Sequence, residues 1–110
     1  MSYKIIVTPV FKRAFKRLNK KYRSLDKDVE RLYSELRANP ESGSKLGGGL
    51  FKIRLPISSK NKGKSGGARV ITYLVTDDQE IYLVFIYDKS EVDNISKELL
   101  MEMLRACGLR

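Results

Sequence analysis

Between Glu41 and Asp77 the chain carries seven basic residues and no acidic one: Lys45, Lys52, Arg54, Lys60, Lys62, Lys64 and Arg69. Two of them fall in the run Leu50-Phe-Lys-Ile-Arg-Leu-Pro-Ile57. Strand alternation puts Lys52 and Arg54 on one face and Phe51, Ile53, Leu55 and Ile57 on the other. Like charges side by side on a strand repel, and an anion offsets the repulsion. Nucleic-acid phosphate is the anion that suits a row of Lys and Arg. These side chains also permit chemistry. Cleavage of RNA by its own 2′-hydroxyl needs a base for that hydroxyl, an acid for the departing 5′-oxygen and cations for the charged phosphorane. Neighbouring cations lower the pKa of Lys and Tyr, which makes each a better base near neutrality. Arginines add fixed, bidentate charge for the phosphate. Lys52 beside Arg54 has this arrangement, and Arg69, opening the next strand, reaches the same face. Lys45, Lys60, Lys62 and Lys64 read as contacts to an RNA backbone rather than as catalytic groups. From pattern alone Lys52 and Arg54 equally suit a solvated strand face, Tyr87 a place in the core, and Lys89 an exposed one.

Composition narrows the alternatives. The chain has 110 residues, a net charge of +9 and no histidine, which removes the commonest acid/base of ribonucleases and the commonest transition-metal ligand. Cys107 is the only cysteine, so neither an internal disulfide nor a cysteine zinc site can form within the chain. Carboxylates are not clustered as a two-metal nuclease requires, and there is no P-loop, dinucleotide fingerprint or nucleophile elbow. No cofactor or metal is expected. Basicity is concentrated further in the first 25 residues, which hold eight bases and no acid. That balance calls for a polyanion, or for an acidic protein that masks the charge. No extended apolar stretch suggests a signal peptide or a membrane span, so the expected location is the cytoplasm.

The elements that must position these residues follow from periodicity. Residues 1–110 read as one domain. Tyr3–Thr8 reads as a strand, and Thr8-Pro9 as the cap and first position of a helix with an apolar stripe at Phe11, Ala14, Phe15, Leu18 and Tyr22. Ser24 can cap a second helix with a stripe at Leu25, Val29, Leu32, Tyr33 and Leu36. Asn39-Pro40 ends it. Gly43 and Gly47–Gly49 read as a flexible approach to the strand at 50–57. Ser58–Gly67, rich in Lys and Gly, reads as a mobile basic loop. Ala68–Thr76 and Glu80–Tyr87 form a hairpin through Asp77-Asp78-Gln79. The unbroken apolar run of the latter strand calls for cover on both faces. Ser90-Glu-Val-Asp93 reads as a capping box for a last helix, with Ile95, Leu99, Met103 and Ala106 as its stripe and Leu100 and Leu104 beside it. The order is β-α-α-β-β-β-α. This is a small α+β domain, an antiparallel-rich sheet with an N-terminal helical hairpin and a C-terminal helix, the helices expected on one sheet face.

That order, together with Leu50-Phe-Lys-Ile-Arg-Leu55, Gly67-Ala-Arg-Val-Ile-Thr-Tyr73 and Ile86-Tyr-Asp-Lys-Ser-Glu91, resembles the RelE/ParE superfamily of bacterial type II toxins. The terminal segment is most similar to the HigB-like branch. The resemblance implies a cognate antitoxin, held with the toxin in a hetero-oligomer, and metal-independent cleavage of mRNA in the ribosomal A site. It implies phosphate binding and activation by Lys52, Arg54 and Arg69, with Tyr87 and Lys89 at the end of the last strand. The RelE branch has an arginine after that lysine and a tyrosine further on, where this chain has Ser90 and Ser96. Lys52 and Tyr87 are therefore both candidates for the base. Two other readings remain: a ParE-like toxin that inhibits gyrase without cleaving RNA, and a non-catalytic nucleic-acid-binding module.

Overall fold

The computed structural model describes residues 3–60 and 67–109. In chain order the elements are β1 (Lys4–Val7), α1 (Pro9–Lys21), α2 (Leu25–Ala38), β2 (Ser44–Gly47), β3 (Leu50–Leu55), a 3₁₀ turn (Ser58–Lys60), β4 (Ala68–Val75), β5 (Glu80–Asp88) and α3 (Lys97–Ala106). The expected order holds, with one short strand more. The glycines expected to form a flexible approach instead turn the chain so that β2 pairs antiparallel with β3, Ser44 opposite Lys52. Gly43 has φ +97°, and a Cβ there would stand 2.5 Å from the Lys52 carbonyl oxygen, so this backbone approach requires glycine. The sheet order is β1-β5-β4-β3-β2, with β1 parallel to β5 and the other pairs antiparallel.

The helices do not share one face. Phe11 and Leu18 of α1 and Leu25, Val29, Leu32 and Leu36 of α2 pack on Ile53, Leu55, Val70, Ile81, Leu83 and Ile86. On the opposite face Leu100 and Leu104 of α3 pack on Leu50, Ile71, Val84 and Tyr87. An apolar stripe shows that a helix must be buried but not against which side. The interior strand β5 is apolar on both faces and needs both covered, which decides the matter. The last helix also begins later than its expected capping box. Ser96 is the cap, its hydroxyl accepting from the Leu99 amide at 3.1 Å. Ser90 instead turns back, its amide and hydroxyl donating to Asp88 Oδ1 at 2.9 and 2.7 Å. With that shift the buried stripe is Leu100 and Leu104, and Leu99 is left 43% exposed. Ser24 precedes α2 without capping it by its side chain; its hydroxyl donates to Asp28 at 2.8 Å.

β5 does not alternate throughout. Thr72 pairs with Leu83 and Ile71 with Phe85, so Val84 is an extra residue on β5, a bulge. Ile81 and Leu83 before it face the helical hairpin, and so does Ile86 after it, which is the opposite parity. Val84 and Tyr87 therefore both face α3. Thr8 holds this kink. Its amide donates to the Leu83 carbonyl at 3.2 Å, and its buried hydroxyl reaches the Leu83 and Val84 carbonyls at 2.9 and 3.3 Å. The same oxygen accepts from the Phe11 amide at 3.1 Å and caps α1, as the sequence predicts. Replacing Thr8 with Ala should therefore destabilise the fold by ~1–2 kcal/mol, and Thr8→Ser by much less. Urea unfolding midpoints of the three proteins test this; an alanine variant as stable as the wild type would show that the hydroxyl does not hold the kink.

Candidate active site

The site is a cross-strand row. Arg54 of β3 lies opposite Arg69 of β4, which lies opposite Tyr87 of β5. Lys52, two residues before Arg54, shares its face. Lys89 follows the end of β5, its amide held by the Gly67 carbonyl at 3.1 Å. Lys52, Arg54, Arg69 and Lys89, with Ser44 from β2, line one cleft of ≈ 330 Å³. A second, smaller cavity of ≈ 150 Å³ adjoins it at Lys52 and is lined also by Leu46, Ile71, Tyr87, Ile95 and Leu100. Four of the five residues expected to be catalytic thus share one cleft, and Tyr87 floors the cavity beside it.

Exposure separates the four cations. Arg54 is exposed, Lys52 half-buried and Arg69 only 9% exposed. The Arg69 guanidinium donates to the Ala68 carbonyl at 3.2 Å, so its orientation is fixed before any ligand arrives. Lys89 Nζ pairs with Asp93 at 3.2 Å, a carboxylate whose side chain is 99% exposed. Tyr87 departs from expectation. Burial pushes its phenol above the ordinary value, Arg69 pulls it down by less, and Asp93 adds to the rise. The net direction is up, opposite to the lowering that neighbouring cations alone would give.

Lys45 does not join this cleft. It pairs with Phe51 in register, on the other side of β2 from Ser44, and lines a separate cavity with Gly47–Gly49. Lys62 and Lys64, and the side chain of Lys60, lie outside the described residues. Sequence reasoning missed Ser44, Asn94 and Lys97. Ser44 enters the cleft only because β2 exists. Asn94 and Lys97 reach the smaller cavity because the helix begins at Lys97 rather than at Ser90. Lys97 Nζ also donates to the Leu46 carbonyl at 3.2 Å and ties α3 to the sheet edge. Among the described residues no group of three or more His, Cys, Asp and Glu could hold a metal ion, and no helix is long and apolar enough to cross a membrane.

The α+β fold is shared with a solved toxin structure. A mutant of E. coli toxin RelE in the free state superposes with a TM-score of 0.61 over 96% of this chain and 98% of that one, at 15% identity. At that identity the likeness speaks for the fold. The family model for the RelE toxin of the RelE/RelB toxin–antitoxin system matches residues 8–108. The chain therefore belongs to the RelE toxin family, and a cognate antitoxin is its implied partner. The match identifies the family and does not extend to the HigB-like branch within it.

Both stems of the basic segment between the 3₁₀ turn and β4 are anchored. At its start Asp28 is fully buried and accepts from the Ser58 amide and hydroxyl at 3.1 and 2.7 Å, from Ser24 and from Arg31. At its end Gly67 accepts from Lys89. Burial raises the Asp28 carboxyl, but the hydrogen bonds from Ser58, Ser24 and Arg31 together outweigh it, and the net direction is down. A depressed folded pKa contributes stability that is present above the unfolded value, about 3.9. It is lost as pH falls through the lower folded value. Asp28→Asn should therefore cost ~1–3 kcal/mol at pH 7, and the difference from wild type should shrink as pH drops below ~3.9. Thermal melts at pH 7, 5 and 3 check the sign; a gap that widens in acid would contradict it.

Proposed function

We propose that this toxin is a metal-independent endoribonuclease that cleaves mRNA on the ribosome. The observation that carries the reading is the single cleft walled by Lys52, Arg54, Arg69 and Lys89, with no carboxylate among its described lining residues. Four cations converging on one concavity suit a phosphate that gains negative charge in the transition state. In this mechanism Arg54 and Arg69 hold the non-bridging oxygens of the scissile phosphate. Lys52, acting in its neutral amine form, takes the proton of the attacking 2′-hydroxyl as the 2′-oxygen bonds to phosphorus. The bond from phosphorus to the 5′-oxygen breaks, and Lys89 gives that oxygen its proton. Tyr87, neutral at pH 7, donates a hydrogen bond from the floor and is not the base. The products are a 2′,3′-cyclic phosphate and a 5′-hydroxyl.

The same reading puts the protein in the cytoplasm, where ribosomes and mRNA are. Lys45 and the lysines of the segment 60–64 contact RNA backbone outside the cleft. The antitoxin, in a hetero-oligomer with the toxin, neutralises it by presenting an acidic or amphipathic segment that covers the cationic face.

Primer extension on mRNA translated with and without the protein, followed by analysis of product termini, tests the reaction. Cleavage at A-site codons with cyclic-phosphate ends is expected, and a 2′-deoxy nucleotide at the scissile position should block it. Growth arrest by gyrase inhibition with intact mRNA would overturn the proposal. Lys52→Ala and Arg54→Ala should each lower single-turnover cleavage ~10²–10³-fold at normal protein levels. Tyr87→Phe should cost ~10-fold or less, because it removes a hydrogen bond and not a proton acceptor. A loss at Tyr87→Phe as deep as at Lys52→Ala would reverse these roles.

A further inference from the structure

Asp88 is fully buried and takes no part in the cleft. It sits between Tyr87 and Lys89, the two site residues that β5 supplies. Its parity is that of Ile86, so it points to the helical hairpin while its neighbours point to the site. There the Tyr22 hydroxyl, at the C-terminal end of α1, donates to Asp88 Oδ2 at 2.5 Å. Lys21 Nζ stands 3.7 Å from the same oxygen. Ser90 holds the other oxygen twice, and the Glu91 and Val92 amides donate to the Asp88 carbonyl at 2.9 and 3.0 Å. Beyond it Glu91 pairs with Lys21 at 2.9 Å and with Arg17 at 3.3 Å, both at the surface. The exposed pairs are worth little. The buried carboxylate with a hydroxyl partner is the strong element.

We infer that Asp88, locked onto α1 by Tyr22, is a positioning residue that holds Lys89 and Tyr87 in place at the site. The proposal rests on the functional reading above. Lys89 lies past the last paired residue of β5, where its amide bond to the Gly67 carbonyl ties it to the sheet. An end of strand so weakly paired frays unless something fixes it. The Asp88 side chain fixes it from behind, because successive residues of a strand point to opposite faces. Pulling Asp88 toward α1 presses Tyr87 and Lys89 toward the cleft. A displacement of about 1 Å at a reacting group can cost ~10²-fold in rate, so the clamp matters more for the reaction than for the fold.

Two measurements on Tyr22→Phe, which removes one hydroxyl and keeps the ring, decide the question. The first is amide hydrogen exchange in the free protein, which does not depend on any activity. The Lys89, Glu91 and Val92 amides should exchange about tenfold faster, with the β3–β4 amides unchanged. The second is single-turnover cleavage in a double-mutant cycle with Lys89→Ala. Tyr22→Phe should lower the rate at saturating ribosome about tenfold without moving the half-saturating concentration, and should have a much smaller effect once Lys89 is gone, the remainder acting through Tyr87. Unchanged exchange at the three amides overturns the clamp. Equal losses in both backgrounds, or a Lys89→Ala protein that cleaves like the wild type, overturn its service to the reaction. A wild-type protein that cleaves nothing overturns the functional reading instead, and the exchange result still decides whether the clamp exists. Asp88→Asn is the harsher companion, expected to move the same amides further.

Discussion

The interaction on which the site depends is the grip of Thr8 on the bulge at Val84. Without the extra residue, Tyr87 and Lys89 would continue the parity of Leu83 and point into the hairpin core. With it, the second half of β5 is turned over, and the strand delivers an aromatic and a cation to the face already occupied by Lys52, Arg54 and Arg69. One hydroxyl serves both the entry to α1 and the kink, so the first helix and the register of the central strand are set together. Bulges commonly re-aim a side chain beside a functional site, and here the re-aimed residues are site residues.

Around that kink the domain distributes its charge by layer. The hairpin is apolar toward the sheet, with the bases of α1 and the mixed charges of α2 outside. The α3 face is apolar only where Leu100 and Leu104 reach, and beyond them the sheet surface is given to Arg54, Arg69 and Lys52. Packing α3 further along the sheet would cover these cations, and taking charge out of water is unfavourable. The cleft lies on the part of this sheet face where the charges are.

Much of this was legible in the sequence because its signals are local. Thr8-Pro9 marked the start of α1, the alternation at 50–57 separated Lys52 and Arg54 from the core residues, and Asp77-Asp78-Gln79 marked the hairpin turn. The apolar run 81–87 announced cover on both faces. That run also hid the bulge, since a strand apolar at every position has no alternation to break. The side chosen by α3 is a tertiary choice that its own stripe cannot express. Ser90 looked like a cap because its three-residue spacing to Asp93 fits one, but the buried Asp88 two residues earlier binds it first. The direction of the Tyr87 shift was misjudged for a related reason: charge can be read from sequence, whereas the burial that outweighs it cannot.

The anchored stems at Ser58 and Gly67 have a consequence for how the molecule can change. Asp28 fixes one end of the segment and the Lys89 amide the other, so both ends are tied to the body independently of what lies between. Lengthening a closed segment costs only the logarithm of its length, about 0.6 kcal/mol per doubling. Residues 61–66 can therefore lengthen, shorten or exchange their charges with little mechanical effect on Arg54 on one side or Arg69 on the other. The anchors keep the site separate from this segment, and under the proposed function affinity for a large anionic partner could be retuned in the segment without rebuilding the site.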